Sequence, residues 1–464
     1  MMGLLIKNGT LVTEAGSVPA DLRIENETIQ SLGAGLPTRP GDQIIDAEGC
    51  YVMPGMVDPH VHFRLRVGDY LTVDDFAAGT RSAACGGVTT IIDFVSEHVQ
   101  ESLLKGLDER LAEMEGQLHI DAGLHGTVVD LSRGQDAELA QVAERGVTSI
   151  KVYTTYRQGG FYCDDDAWYR TLALANDLGL LVIVHAENDS IVEATKARFV
   201  AAGQPDLAHH PASRPGLAEL EAINRGLFLA RQAGNAPIYF VHTSVGRSPA
   251  LVAAARMRGQ PAMGEACTHH LLLNDADYAR EPARYFMTPP LRTAGDQAEL
   301  WEALERGRID SIATDHCAYP QERRLEDNDF RTASPGVPGV ETRLMLMYTA
   351  GVTTGRISIN RLVQLLSANP ARIFGLYPRK GTLTPGADAD VVVYDPREAW
   401  TLTDDGLHSN AGFTPYAGMT IHGRVRTTIS RGRIVWHDGE FRGDPGHGRF
   451  LKRDRFDPAV VQQL

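Results

Sequence analysis

Residues 51–62 read YVMPGMVDPHVH, an apolar run followed by two histidines that lie two positions apart, His60 and His62. Residues i and i+2 of an extended strand point to the same face, so both imidazoles can reach one ion. Most isolated pairs of this kind are ordinary surface or core histidines. This stretch decides the fold because other polar residues follow later apolar runs of the chain in the same way.

The part of the chain that starts at residue 51 alternates apolar runs with longer helix-like stretches. The predicted strands are Tyr51–Val57, Val88–Phe94, Leu124–Val129, Ser149–Tyr153, Leu180–His185, Ile238–His242, Ala262–Ala266 and Asp310–Thr314. Each is followed by a helical pattern, and several of these open with Asp or Ser, which helix N-termini prefer. A doubly wound sheet would also alternate, but no glycine-rich phosphate loop follows the first strand. The predicted fold class is therefore α/β, a (β/α)8 TIM barrel.

The two ends of the chain show a different pattern, with short β segments separated by turn residues. Leu4–Ile6, Thr10–Val12 and Ile29–Leu32 are examples near the N-terminus, and Val425–Ser430 and Arg433–Trp436 near the C-terminus. We expect one small β-sandwich domain built from both termini. Its predicted extent is 1–53 plus 372–464, including a C-terminal tail, around a catalytic barrel of 54–371.

Composition limits the partners and the compartment. The formal net charge of −14 argues against a nucleic acid or an anionic membrane as a partner. No apolar run approaches the roughly 20 residues that span a bilayer, and the N-terminus lacks the pattern of a signal peptide. The five cysteines are scattered and form no C-x-x-C pair. We therefore expect reduced thiols and a cytoplasmic location.

Polar residues follow five of the predicted strands, on the side where barrel enzymes carry their active sites. They are His60, His62, Lys151, His185, His242 and Asp315. Four imidazoles and a carboxylate suit Zn²⁺ or a similar divalent ion. Lys151 is either a salt-bridging structural lysine or an amine carbamylated by CO2, whose two oxygens would bridge two metals. Six positions are too many for one tetrahedral zinc, which favours the carbamate.

Several longer motifs occur in a fixed order over nearly the whole chain. They are D-x-H-x-H from Asp58, DDFAAGTRSAACGGVTTIIDF from Asp74, KVYTTY from Lys151, VHAEN from Val184, VHTS from Val241, TPPLR from Thr288, TDHC from Thr314, ARIFGLYPRKGTLTPGADADVVVYDP from Ala371 and HSNAGFTPYAGM from His408. In these motifs the chain resembles the hydantoinase and dihydropyrimidinase family of cyclic amidohydrolases.

The resemblance implies hydrolysis of the ring amide of hydantoins or dihydropyrimidines to N-carbamoyl amino acids. It implies two divalent ions, Zn²⁺ by expectation. His60 and His62 would hold one with Asp315, and His185 and His242 would hold the other. Lys151, N6-carboxylated by CO2, would bridge them, and a hydroxide shared by both ions would be the nucleophile.

The resemblance also implies roles for residues around the metals. Asp315 would carry the proton to the departing ring nitrogen, and Tyr156 would stabilise the oxyanion. Main-chain groups near Thr288 and in the Ser334–Gly339 loop, which contains Pro335, would hold the ring amide. The expected pocket for the ring substituent is formed by Phe63, Leu65, Tyr153, Phe161 and Tyr162, with Arg64 beside it.

Two other readings stay open. Arg64 follows the histidine pair as in dihydroorotases, so dihydroorotase or allantoinase is the alternative activity, although Asp93-Phe94-Val95-Ser96 departs from their pattern. The alternative from another class is a non-catalytic scaffold related to dihydropyrimidinases. Such proteins have lost metal ligands, whereas all six positions are filled here. Relatives assemble as homotetramers or homodimers, and the segment Gly448–Arg453 resembles one that packs on a neighbouring subunit.

Overall fold

The central part of the chain is a barrel of parallel strands in sequential order. The computed structural model describes residues 3–67, 70–96, 99, 101–131 and 134–464. Barrel strands 1 to 8 are Met56–Asp58, Val88–Val95, Asp121–Thr127, Ser149–Tyr153, Leu181–His185, Ile238–Phe240, Ala262–Cys267 and Ser311–Ala313. The buried Arg343 joins strand 8 to strand 1 by donating to the carbonyls of Ile312 and Val57. The predicted (β/α)8 barrel is confirmed.

The predicted first strand, Tyr51–Val57, is in fact two strands of different sheets. Tyr51–Pro54 pairs antiparallel with Val391–Thr401, and only Met56–Asp58 pairs with barrel strand 2. Gly55 is the junction, and a Cβ there would lie 2.0 Å from the Thr89 hydroxyl oxygen. Because only glycine fits against Thr89, the chain passes from one sheet to the other at this residue.

Helices surround the barrel and carry side-chain caps at several N-termini. Their bounds are Phe76–Cys85, Leu103–Met114, Gln135–Glu144, Asp165–Leu178, Asp189–Ala201, His210–Ser213, Gly216–Gln232, Ser248–Met257, Thr268–Leu272, Ala294–Glu305, Gln321–Asp327, Arg343–Met347, Ile359–Val363 and Asn369–Ile373. Asp75, Ser102 and Asp164 each accept a hydrogen bond from a backbone amide of the first turn. These caps explain why Asp and Ser marked the helix starts in the sequence.

Two further sheets form from the two ends of the chain. One contains, in spatial order, Thr28–Gly33, Asp21–Glu25, Leu4–Lys7 and Gln43–Asp46. The other contains Glu440–Phe441, Arg433–His437, Thr420–Ser430, Val391–Thr401, Tyr51–Pro54, Thr10–Thr13 and Gly16–Pro19. Leu4, Ile24, Val52, Val393 and Ile429 share one buried cluster. Both termini therefore supply one small β domain, while its division from the barrel at residues 53/54 and 371/372 remains our proposal.

The C-terminal tail packs on the barrel of its own chain. The Leu451 amide donates to the Ala122 carbonyl on barrel strand 3, and the buried guanidinium of Arg453 donates to Ser149 Oγ on strand 4. A contact of Gly448–Arg453 with a neighbouring subunit stays a prediction. Leu451, Phe456 and Val460 belong to the apolar cluster inside the barrel. The tail thus closes the amino-terminal end of the barrel.

None of the helices in the described ranges is both long and apolar enough to cross a bilayer. All five cysteines are buried and free of disulfides.

Candidate active site

A cavity of about 720 Å³ opens at the carboxyl ends of the barrel strands, within the size range of small-molecule sites. The structure brings together in its wall all of the predicted ligand positions: His60, His62, Lys151, His185, His242 and Asp315. They come from elements far apart in sequence: Lys151 lies within a barrel strand, and the other five end a strand or follow one closely. This common position follows from the parallel order of the strands.

The first group of side chains in the cavity is His60, His62 and Asp315. Asp315 Oδ1 lies 3.2 Å from Nε2 of each histidine. Burial alone would raise the pKa of Asp315, but the adjacent histidines outweigh it and hold this pKa well below its ordinary value. Burial lowers the pKa of His62, which favours the neutral imidazole that binds metals. The group therefore offers an ionised carboxylate and, at His62, a neutral imidazole.

The second group is His185 with His242, whose ring centroids lie 4.5 Å apart. Burial lowers the pKa of His185 to about 4 and that of His242 well below its ordinary value. The His242 ring also stacks on His60 at 5.4 Å. The two groups of ligand-type side chains are therefore adjacent, and the imidazoles of His185 and His242 are neutral at neutral pH.

Lys151 lies between these groups as a buried amine, only 1% exposed. In the described ranges, no carboxylate oxygen lies within ion-pair distance of its Nζ. The nearest aromatic neighbours are the rings of Phe94 and Tyr153, at 5.2 and 5.0 Å from Nζ. Burial lowers the pKa of Lys151 to about 8, so part of the amine is unprotonated near neutral pH. The described residues thus give Lys151 no salt-bridge partner, and its carbamylation stays a prediction.

These residues fit the two divalent ions that the sequence predicted. His62 Nδ1 is buried with no hydrogen-bond partner among the described residues, and His60 Nε2 faces Asp315 Oδ1 at 3.2 Å without forming a hydrogen bond. Buried nitrogens without a partner are rare unless an ion or water satisfies them. Imidazole and carboxylate donors are the ligands that zinc and similar ions prefer.

Glu265, which the sequence analysis missed, supports two of these histidines. It lies within barrel strand 7, fully buried. Its Oε1 is 2.8 Å from His60 Nδ1 and accepts from the His242 amide at 3.1 Å, and its Oε2 accepts from the Tyr239 hydroxyl at 2.9 Å. A lone carboxylate inside an apolar strand was the signal available in the sequence.

Glu187 and Arg214, also missed, form a buried ion pair behind His185. Glu187 Oε2 lies 2.8 Å from His185 Nε2 and 2.6 Å from Arg214 Nη2. Burial would raise the pKa of Glu187, but Arg214 and His185 outweigh it and hold this pKa well below its ordinary value. The carboxylate therefore stays ionised and fixes the orientation of the His185 ring.

The residues expected to bind substrate divide into two sets. Those that line the cavity are Tyr156, Thr288, Pro335, Leu65, Tyr153 and Phe161. Burial raises the pKa of Tyr156, so its hydroxyl remains a hydrogen-bond donor. Thr288 Oγ1 lies 3.3 Å from His210 Nε2, which also contacts the Met287 carbonyl at 2.9 Å.

Phe63, Arg64 and Tyr162, expected at the pocket, lie outside the wall of this cavity. Phe63 is fully buried, with its ring against Phe76 and His316, and is a core residue. Arg64 has a side chain that is 51% exposed, and its Nε lies 2.8 Å from Glu113 Oε1. The Arg157 guanidinium stacks over the Tyr162 ring, with its Cζ 3.7 Å from the ring centroid. Phe63 and Arg64 form a tight turn after His62, which directs both side chains away from the barrel mouth.

Comparison with known proteins gives a consistent result. Residues 51–435 match the model of the Amidohydrolase family. The chain is 41% identical to the D-phenylhydantoinase of Escherichia coli (strain K12), over 99% of this chain and all of that protein. The structure of dihydropyrimidinase from Brevibacillus agri NCHU1002 superposes with a TM-score of 0.95 at 35% identity, over 98% and 100% of the two chains. L-hydantoinase (dihydropyrimidinase) from Arthrobacter aurescens gives 0.91 at 31% identity, with the same coverage.

Proposed function

Since the chain belongs to the amidohydrolase family, we propose that it opens the ring amide of hydantoins or dihydropyrimidines and releases N-carbamoyl amino acids. The observation that carries this proposal is the convergence of four histidines, Lys151 and Asp315 on one cavity. Binding of an organic ligand does not require so many metal-ligating side chains in one cavity. It suits hydrolysis assisted by metal ions.

The proposed cofactors are two divalent ions, Zn²⁺ in the first instance. His60, His62 and Asp315 would hold one ion, and His185 and His242 the other, with Lys151, N6-carboxylated by CO2, joining them. The pKa of Lys151, lowered to about 8 by burial, supports carboxylation because the neutral amine is the form that attacks CO2. When bound, the ions would polarise the ring amide and lower the pKa of a water molecule.

The catalytic work of the chain is assigned to Asp315 and Tyr156. Asp315, whose pKa is held low, is ionised at neutral pH and would take the proton of the attacking water. It would then give this proton to the ring nitrogen as the carbon–nitrogen bond breaks. Tyr156 would donate its hydroxyl proton to the oxyanion, and its raised pKa keeps that proton in place. Main-chain groups beside Thr288 and Pro335 would hold the ring.

The substituent on the substrate ring is proposed to be bulky or aromatic. Leu65, Tyr153 and Phe161 line the cavity with apolar surface. The relative at 41% identity is a D-phenylhydantoinase, whereas the L-hydantoinase is 31% identical. We therefore propose a preference for the D enantiomer of 5-aryl hydantoins.

The two alternative readings lose their support. Dihydroorotase or allantoinase activity rested on Arg64, whose guanidinium pairs with Glu113 outside the cavity. A non-catalytic scaffold would need a depleted ligand set, and none of the six positions is depleted. Purified protein with well under one equivalent of metal, unrecoverable with Zn²⁺ and bicarbonate, would favour the scaffold.

The test of the proposed function is a substrate panel. Protein loaded with Zn²⁺ and bicarbonate is assayed on hydantoin, dihydrouracil, both enantiomers of 5-phenylhydantoin, dihydroorotate and allantoin, with the N-carbamoyl products separated by chromatography. We expect turnover of hydantoins or dihydrouracil, and faster opening of D- than of L-5-phenylhydantoin. Turnover confined to dihydroorotate or allantoin would contradict the proposal.

We further propose assembly as a homotetramer or homodimer in the cytoplasm. Leu217, Phe228 and Met257 expose apolar surface on two adjacent outer helices, at 63%, 62% and 90%. Surface of this kind favours contact with a second copy. The five free, buried thiols fit a reducing compartment. Light scattering coupled to size-exclusion chromatography measures the assembly.

A further inference from the structure

A second cluster of metal-ligating side chains lies at the end of barrel strand 7, outside the ligand set proposed above. Cys267, His269 and His270 offer ligand atoms that all lie within 4.8 Å of one another. None of the three is more than 3% exposed. We call these residues the strand-7 trio. Their spacing comes from the end of the strand and the first turn of Thr268–Leu272.

Two nitrogens of the strand-7 trio lack a partner. Nδ1 of His269 and Nδ1 of His270 are both buried, with no hydrogen-bond partner among the described residues. His270 Nε2 lies 3.1 Å from the Pro289 carbonyl, which requires the ring proton to be on Nε2. Nδ1 of His270 therefore presents a lone pair to the protein interior. A metal-bound histidine is oriented in this same way, by a carbonyl acceptor on its other nitrogen.

The thiol of Cys267 can supply the charge that a cation requires. Its nearest hydrogen-bond partner is Glu265 Oε1, at 3.9 Å, which is a weak contact. Binding of an ion would replace the sulfur–hydrogen bond with a sulfur–metal bond and release one proton to solvent. The thiolate would then neutralise one of the two charges of the ion.

The strand-7 trio also has a route to solvent. His269 lines the catalytic cavity, whereas Cys267 and His270 lie behind it. An ion could therefore enter through the cavity that admits the substrate.

We propose that Cys267, His269 and His270 form a third metal site that takes a thiophilic divalent ion of the zinc class, such as Zn²⁺, Co²⁺ or Cd²⁺. Thiolate and imidazole are the donors that such ions prefer, and three protein ligands leave a fourth position for water. The site uses none of the side chains proposed for the binuclear centre, although Cys267 contacts Glu265, which also contacts His60.

A different cysteine cluster is the natural comparison. Cys85, Glu341 and His408 also offer ligand atoms within 4.8 Å. Glu341, however, already accepts from Ser82 Oγ, from the His408 amide and from His408 Nδ1, at 3.0, 2.8 and 2.8 Å. Because these contacts satisfy the carboxylate, this cluster supports the local fold without an ion.

The test uses Co²⁺, because a cobalt–thiolate bond gives a charge-transfer absorption in the near ultraviolet. The ligands assigned to the binuclear centre contain no sulfur, so this band reports the strand-7 trio alone. Full-length protein is stripped of metal and titrated with Co²⁺ in bicarbonate, and bound cobalt is counted by plasma emission. We expect the band to grow to one equivalent of thiolate-bound cobalt and to disappear in Cys267→Ser. It should remain in Cys85→Ser and in Cys317→Ser, which changes a thiol that lines the catalytic cavity.

The outcomes decide the proposal in either direction. A band that survives Cys267→Ser, or that disappears in Cys85→Ser or Cys317→Ser instead, overturns it, as does the absence of any thiolate band at three equivalents of Co²⁺. If Cys267→Ser fails to fold, as judged by circular dichroism, His270→Gln takes its place. That variant should weaken cobalt binding at the thiolate site by at least about tenfold. Unchanged binding would overturn the proposal, whereas failure of the substrate panel would leave it intact.

Discussion

At the scale of residues, the Glu265 carboxylate contacts two of the predicted metal ligands. Its Oε1 contacts His60 Nδ1 at 2.8 Å and accepts from the His242 amide at 3.1 Å. A carboxylate on Nδ1 holds the proton of His60 there and leaves Nε2 to face the cavity. The position of one buried charge in strand 7 thus sets the orientation of a ligand that belongs to strand 1.

The first prediction concerns this carboxylate. Glu265→Gln keeps the shape but removes the charge, so metal affinity should fall by about 10- to 100-fold. Competition with a chromophoric chelator measures the affinity. Glu302→Gln, on an outer helix with an exposed side chain, is the matched control and should bind metal like the parent. Equal affinity in the two variants would show that Glu265 does not position His60.

The second prediction concerns Lys151. Lys151→Ala should lose both bound metal and activity, and short carboxylic acids such as propionate should restore part of each by replacing the carbamate. Lys196→Ala is the control, since Lys196 lines the same cavity but pairs with Glu193 at 3.2 Å. It should retain the metal content of the parent. Full activity of Lys151→Ala without added acid would rule out a bridging carbamate.

At the scale of elements, the C-terminal tail is the segment that closes one end of the barrel. Its side chains fill the end of the barrel opposite the catalytic cavity, where Leu451 and Phe456 are nearly fully buried. Arg453, also buried, donates to backbone and side-chain oxygens of strands 3 and 4. The tail therefore belongs to the core of its own chain and stabilises the barrel at its amino-terminal end.

The third prediction tests this role of the tail. Leu451→Ala should lower the free energy of unfolding by about 2–5 kcal/mol, the range for truncating a buried leucine. Leu325→Ala, at a residue that is 57% exposed, should change it by no more than about 0.5 kcal/mol. Urea unfolding followed by circular dichroism compares the two. If Leu451→Ala altered the assembly but not this free energy, the tail would instead pack between subunits.

At the scale of the whole molecule, a buried ionic cluster joins the barrel to the β domain. Lys380 Nζ lies 2.6 Å from Asp121 on barrel strand 3 and 2.8 Å from Asp390. Arg431 from the β domain reaches the same Asp121 at 3.0 Å. Burial would lower the pKa of Lys380, but the surrounding carboxylates outweigh it and raise this pKa above its ordinary value. Lys380 therefore remains a cation, and two domains depend on its contacts.

The fourth prediction removes this cation. In Lys380→Met, the negative charges of Asp121 and Asp390 lose a buried cation that neutralises them. The free energy of unfolding should therefore fall by about 3–5 kcal/mol. Lys105→Met is the control, because its pair with Glu101 is more than half exposed on both sides and should contribute little. Chemical denaturation of both variants measures the difference. Equal stability would mean that the cluster does not hold the domains together.

The local part of the fold follows directly from the sequence. Strand Ser149–Tyr153 forms at the predicted bounds, and helix Asp165–Leu178 follows it with an Asp cap as the helical patterns indicated, because an apolar run and a side-chain cap are both local signals. Gly55 is different: it divides a single apolar run between two sheets. Its constraint is the contact with Thr89, which is 34 positions away in the chain and cannot be recognised from the run itself.

The sequence by itself determined the barrel, the β domain built from both termini and the ligand-type residues. The periodicity of apolar residues and the order of the motifs are properties of the sequence alone. Only the tertiary structure decided which side chains share the cavity. In the structure, Phe63 packs in the core and Arg64 lies at the surface. Glu265 contacts His60, and the C-terminal tail packs on the amino-terminal end of the barrel. The physical reason is that burial and charge pairing depend on residues distant in sequence, which meet only when the barrel closes.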